Sequence, residues 1–89
     1  MTMKSTIVDK LTAAFSPASL DVIDESHLHA GHAGHREAGE THFRVQIVSA
    51  AFAGRSRLER HRMINEALAA ELSGGIHALA IRAHTLGEP

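Results

Sequence analysis

His42-Phe43-Arg44-Val45-Gln46-Ile47-Val48 alternates polar and apolar side chains almost without a break. Successive residues of a strand point to opposite faces, so Phe43, Val45 and Ile47 share one apolar face that needs a core. The stretch predicts a half-buried β-strand. Upstream, Leu20-Asp21-Val22-Ile23-Asp24 predicts a shorter strand with Leu20 and Val22 pointing one way. Sequential strands tend to be neighbours, so the two predict an antiparallel pair joined by a long loop.

The segments outside this pair complete a layer. Ile7, Val8, Leu11 and Phe15 recur at helical spacing, predicting a first helix over Ser5–Phe15, with Ser5 as its cap and Ser16-Pro17 as its stop. After the strand pair, Phe52-Ala53-Gly54 breaks the chain, and Ser56-Arg57-Leu58-Glu59 spells a capping box. The helix it starts is expected to run to about Leu72, ahead of Ser73-Gly74-Gly75. Ile64, Ala67, Leu68 and Leu72 form its buried stripe, with His61 one turn earlier on that face and Arg62 turned to solvent. Ile76–Arg82 predicts a third strand in which His77 shares a face with Leu79 and Ile81, while Ala78 and Ala80 leave room for a helix on the other. A strand-helix-strand order implies a right-handed crossover back into the sheet. The expectation is a single domain over 1–89 of α+β class, ordered α-β-β-α-β, with a three-stranded mixed sheet and helices on one face.

Composition narrows the function. A chain of 89 residues has room for one core. There is no cysteine, so the chain forms no disulfide and offers no thiolate to a metal or a substrate. A net charge of −1 gives no general attraction to nucleic acid or membrane. No apolar run approaches the ~20 residues of a membrane span. Lys4, Asp9 and Lys10 near the start leave no apolar core for a signal peptide, so the expected compartment is the cytoplasm. H-E-x-x-H, G-x-S-x-G, P-loop and G-x-G-x-x-G signatures are all missing, and the chain reads as a binding protein rather than an enzyme. Histidine is the outlier: eight copies, at positions 27, 29, 32, 35, 42, 61, 77 and 84, whose protonation in mild acid would reverse the sign of the net charge.

Four of these crowd residues 25–41, where Ala30-Gly31-His32 repeats as Ala33-Gly34-His35. Three glycines and no apolar periodicity predict a mobile loop. Asp24-Glu25-Ser26 ahead of this loop, Gly39-Glu40-Thr41-His42-Phe43, Phe52-Ala53-Gly54 with Arg60-His61-Arg62, and Ile76-His77-Ala78-Leu79 together resemble the BolA family. The resemblance runs from about Leu20 to Ile81 in the family's order. It implies a class II KH-like fold and a non-enzymatic partner of monothiol glutaredoxins, acting in iron–sulfur cluster assembly and trafficking or in iron regulation. The partner pair would share a bridging [2Fe–2S] cluster together with glutathione; alone, the chain would carry no cofactor and would be a monomer or a weak homodimer. Some members are proposed to be transcription regulators. The loop here is longer and richer in histidine than the family's, and the tail Thr85-Leu86-Gly87-Glu88-Pro89 lacks a tryptophan often found there.

What the resemblance implies is consistent with the donor set. Two imidazoles can replace two thiolates on one iron of a [2Fe–2S] cluster, so a partner would bring thiolates and this chain histidines. The carried-over ligands are His77, in the Ile-His-Ala-Leu block, and His29, three residues beyond Ser26, with His32 as the alternative loop ligand. His42 and His61 are expected to be structural and His84 to lie on the surface. A histidine-rich loop also suits Zn²⁺, Ni²⁺ or Cu²⁺, so divalent-metal binding is a further reading. The remaining reading is DNA binding, with Arg55, Arg57, Arg60 and Arg62 around a helix start as a phosphate-contacting patch.

Overall fold

The computed structural model describes residues 2–25 and 42–88. The chain runs α1 (Met3–Phe15), β1 (Ser19–Asp24), β2 (His42–Val48), a 3-10 turn (Ala50–Phe52), α2 (Arg57–Ala67), α3 (Ala69–Gly74) and β3 (Ala78–His84). The α-β-β-α-β order holds, with the second helical segment in two pieces.

The three strands lie in the order β1-β2-β3. β1 and β2 are antiparallel, with Val22 opposite Val45 and Asp24 opposite Phe43. β2 and β3 are parallel, with Phe43 opposite Leu79 and Val45 opposite Ile81. That register puts Leu20 and Val22, Phe43, Val45 and Ile47, and Leu79, Ile81 and Ala83 on one face. Ile7 and Leu11 of α1, with Ile64 and Leu68 from α2 and its end, close over that face; all four are fully buried. Phe52 completes the core, its ring 5.1 Å from that of Phe15. The chain break at Phe52-Ala53-Gly54 is therefore also an anchor. Gly54, at φ 75, takes the left-handed turn that leads into α2.

Local chemistry sets the helix ends. Thr2 is the cap of α1: its side chain accepts from the Ser5 N–H at 3.0 Å, and the Ser5 hydroxyl accepts from the Thr2 N–H at 3.1 Å. The helix therefore begins two residues before the expected start, and Ser5 is the third helical residue rather than the cap. The expected stop is correct, because Ser16 adopts the left-handed conformation at φ 44 that ends the helix. The box predicted for α2 is present, with Glu59 Oε1 accepting from Ser56 N–H at 2.8 Å and Ser56 Oγ from Glu59 N–H at 3.1 Å.

Two expectations are corrected. The second helix does not run unbroken to Leu72: it is interrupted at Leu68, at φ −107 and ψ 21, and resumes as α3. Lys10 of α1 reaches Glu71 of α3 at 2.8 Å, which holds the Glu71 carboxyl below its ordinary pKa. Nor do Ala78 and Ala80 face a helix. They are exposed on the open side, and the helices cover Leu79 and Ile81 instead, because β3 continues the apolar face of β2.

Candidate functional site

Two surfaces carry the residues that the sequence singles out. The first is the end of the sheet where the chain leaves β1 and re-enters β2. Glu25 N–H donates to the His42 carbonyl at 2.8 Å, and Arg44 Nε donates to Glu25 Oε2 at 2.9 Å, so both margins of segment 26–41 are held together. His42 is opposite Ala78 in the parallel register, which brings the preceding residue, His77, to the same end. The two rings meet edge to face, with centroids 6.2 Å apart. His77 is exposed and His42 half-buried. His29 and His32 lie outside the described residues, as does the divalent-metal reading that depends on the loop. Among the described residues, no three histidine or carboxylate side chains gather as a metal-binding group.

His77 was expected inside a strand on the face of Leu79 and Ile81; it precedes β3 instead, and its imidazole is exposed rather than the buried group that a core histidine would be. Sequence reasoning missed its pairing with His42. Only the strand register brings the two together, although both lie near the start of segments that read as strands.

The second surface runs along β3, where a groove of about 750 Å³ is lined by Arg57, Arg60 and His61 from α2, Arg44 and Gln46 from β2, and β3 itself, including Arg82. Four arginines were expected to act together around the start of α2. Arg55, Arg57 and Arg62 are exposed. Arg60 is not: it is buried, and all three of its guanidinium nitrogens donate hydrogen bonds. Nε donates to the Arg55 carbonyl at 3.0 Å and Nη1 to the Ala83 carbonyl at 3.0 Å. Nη1 and Nη2 grip the two Glu88 oxygens at 2.7 and 2.8 Å.

Such a forked pair is the strong form of a charged hydrogen bond. Hydrogen bonding from Arg60, and from the Thr85 N–H, lowers the Glu88 pKa to about 2, and Glu88 in turn raises that of Arg60. His84 stands near the same carboxylate, at 3.5 Å. The tail that looked like a mere loss of a tryptophan is thus a clasp on α2. His61 is half-buried at the groove rather than in the core, and His84 is half-buried rather than fully on the surface.

A family profile described as BolA-like protein matches residues 11–88. The chain belongs to the BolA family. An uncharacterized protein in the cobS 5' region of a Sinorhizobium species is 53% identical over 90 residues, spanning 100% of this chain and 97% of that protein. The DNA-binding transcriptional regulator BolA of Escherichia coli is 47% identical over 88 residues, covering 99% of this chain and 80% of the relative. The BolA domain of SufE1 from Arabidopsis thaliana superposes with a TM-score of 0.89 at 44% identity, over 100% of this chain and 98% of the other. The α+β architecture with its mixed three-stranded sheet is thus the BolA fold. Among the described residues, no helix is long and apolar enough to cross a membrane.

Proposed function

We propose that this BolA-family chain is a non-catalytic adaptor that pairs with a monothiol glutaredoxin and supplies imidazole ligands to a [2Fe–2S] cluster. His77 is one ligand, and His29 or His32 the other; the partner and glutathione supply thiolates. The observation that carries the reading is the exposed His77 imidazole, one residue before β3, at the sheet end from which the histidine-rich segment departs and to which it returns. The donor set fits: the chain has no cysteine, and imidazole is the nitrogen ligand that replaces thiolate in such clusters. One ligand stands at the entry to β3, while the other belongs to a separate segment, an arrangement suited to accepting and releasing a cluster. The cluster is cargo, and the chain's own work is to bind and orient it.

The test combines this protein with a monothiol glutaredoxin, glutathione, ferrous iron and sulfide, and follows the visible circular dichroism. A heterocomplex spectrum distinct from that of the glutaredoxin alone is expected, and it should change when His77→Ala is used. A heterocomplex spectrum indifferent to that substitution overturns the reading. The same comparison of His29→Ala with His32→Ala assigns the second ligand.

One observation favours a second reading, DNA binding: the Escherichia coli relative bears that description. Of the four arginines around the start of α2, Arg55, Arg57 and Arg62 would be available to phosphates, since Arg60 is engaged by Glu88. Three contacts correspond to a slope of log K against log salt of about −2.7 on duplex DNA. Arg57→Gln should reduce its magnitude by about 0.9. A slope near zero removes this reading.

A further inference from the structure

Among the described residues β3 has a neighbouring strand on one side only, because the sheet order ends with it. The direction of its backbone groups follows from two hydrogen bonds. The His84 carbonyl accepts from Ser49 N–H at 2.9 Å, on the side of β2, and the Ala83 carbonyl accepts from Arg60 Nη1 at 3.0 Å, on the outer side. Backbone direction alternates along a strand, so the N–H and C=O groups of Leu79 and Ile81 also face outward, with the N–H of Ala83. Among the described residues none of these five groups has a hydrogen-bond partner. Natural edges are usually blunted by proline, bulges, lysine or a covering segment. The sequence Ala78-Leu79-Ala80-Ile81-Arg82-Ala83 contains neither proline nor lysine, carries a single charge at Arg82, and keeps an unbroken register with β2.

The side chains along this edge differ by face. On the open face, Ala78 and Ala80 are small and exposed, and Arg82 follows them, also exposed. Arg44 lies on that face beside Ala80. On the helix face, Leu79 and Ile81 remain partly exposed at the margin of the core, an apolar rim next to Arg57 and His61. The edge already holds one carboxylate, since Glu88 of the chain's own tail is bound through both terminal guanidinium nitrogens of Arg60. Arg82 and Arg57 form no ion pair among the described residues.

We propose that the outer edge of β3 binds an extended segment of a partner protein as a fourth strand, with alternating acidic and apolar residues. The segment's backbone pairs with Leu79 and Ile81, its carboxylates lie over Arg82 on the open face, and its apolar residues meet the Leu79 and Ile81 rim. Main-chain pairing supplies the affinity of such strand addition, and alternate side chains supply the selectivity. The inference is independent of the iron–sulfur reading, and its probe contains no metal.

The probe is an acetylated, amidated seven-residue peptide of alternating Glu and Val, titrated into the ¹⁵N-labelled protein. Binding should slow amide hydrogen exchange at Leu79, Ile81 and Ala83. Two N-methylated versions of the peptide, blocking alternate sets of amides, should differ: one set abolishes binding and the other leaves it. Arg82→Glu should weaken binding on the order of tenfold, and because that residue is exposed, far-ultraviolet circular dichroism verifies the fold. Equal binding by both methylated peptides, or shifts at the arginines without protection of the three amides, overturns the proposal. So does protection of those amides by a DNA duplex but not by the peptide.

Discussion

Replacing Ser49 with alanine tests how the fold joins its pieces. Ser49 is only 1% exposed, and its N–H and hydroxyl reach three elements through three hydrogen bonds. Its backbone N–H donates to the His84 carbonyl at the end of β3. Its hydroxyl donates to the Phe15 carbonyl at the end of α1 at 2.7 Å, and accepts from the Ala51 N–H of the 3-10 turn at 3.1 Å. The substitution keeps the first bond and removes the other two. The Phe15 carbonyl lies at a helix end, where carbonyls have no partner within the helix. Leaving one partly buried acceptor unsatisfied costs about 1–3 kcal/mol, while the exposed Ala51 N–H can turn to water. The expected loss is about 2 kcal/mol, out of the roughly 4–13 kcal/mol typical of a domain this size. In thermal terms that is about 8–16 °C. The chain has no Trp or Tyr, so urea unfolding is followed by far-ultraviolet circular dichroism rather than by intrinsic fluorescence. The midpoint should fall with the slope unchanged. A loss below about 0.5 kcal/mol would refute the claim that this hydroxyl joins α1 to the sheet.

Two further predictions concern the core and the tail. Phe43→Ala empties a fully packed position on β2, and urea unfolding should show a loss of about 3–5 kcal/mol. Glu88 has its folded pKa lowered to about 2 by Arg60, so the clasp stabilises fully above the ordinary carboxylate pKa of 4.5 and is lost as pH falls toward 2. The melting temperature of Glu88→Gln should therefore lie below wild type at pH 7, and the gap should close between pH 4.5 and pH 2; a gap that persists at pH 2 contradicts the clasp.

How much of this was legible in the sequence depends on the range of each cause. β2 was read with its observed limits because alternation is a property of consecutive residues and one face had to be buried. The Ser56 and Glu59 box is likewise complete within four residues. The break at Leu68 was not legible: Ala67-Leu68-Ala69-Ala70 favours helix at every position. β3 begins and ends two residues later than expected, because its pairing with β2 rather than its own composition sets its limits. The engagement of Arg60 by Glu88 joins residues 28 apart in sequence, and nothing local distinguishes Arg60 from the exposed arginines around it. The nearness of His42 and His77 similarly needs the parallel register. What the sequence did carry for the site was the order of the family blocks, which singled out His77 without saying what surrounds it.

The two surfaces share one strand, which constrains how a partner would use them. His77 precedes β3 and Arg82 lies five residues further on, a separation of about 17 Å at 3.3 Å per strand residue. An ordinary protein interface covers about 800 Å² on each partner, a patch about 32 Å across. A single partner can therefore reach the imidazole and lie along the edge at once. The contributions still separate by their chemistry. Metal coordination acts through one side chain and depends on the cluster, whereas strand addition acts through backbone groups and needs none. Losing the imidazole would remove only the cluster-dependent share of the affinity, and reversing the charge at Arg82 would weaken pairing with or without iron. The clasp bears on the second effect alone: Arg60 occupies the Ala83 carbonyl, so it sets where an added strand stops and leaves the end of β3 nearest His77 open to it.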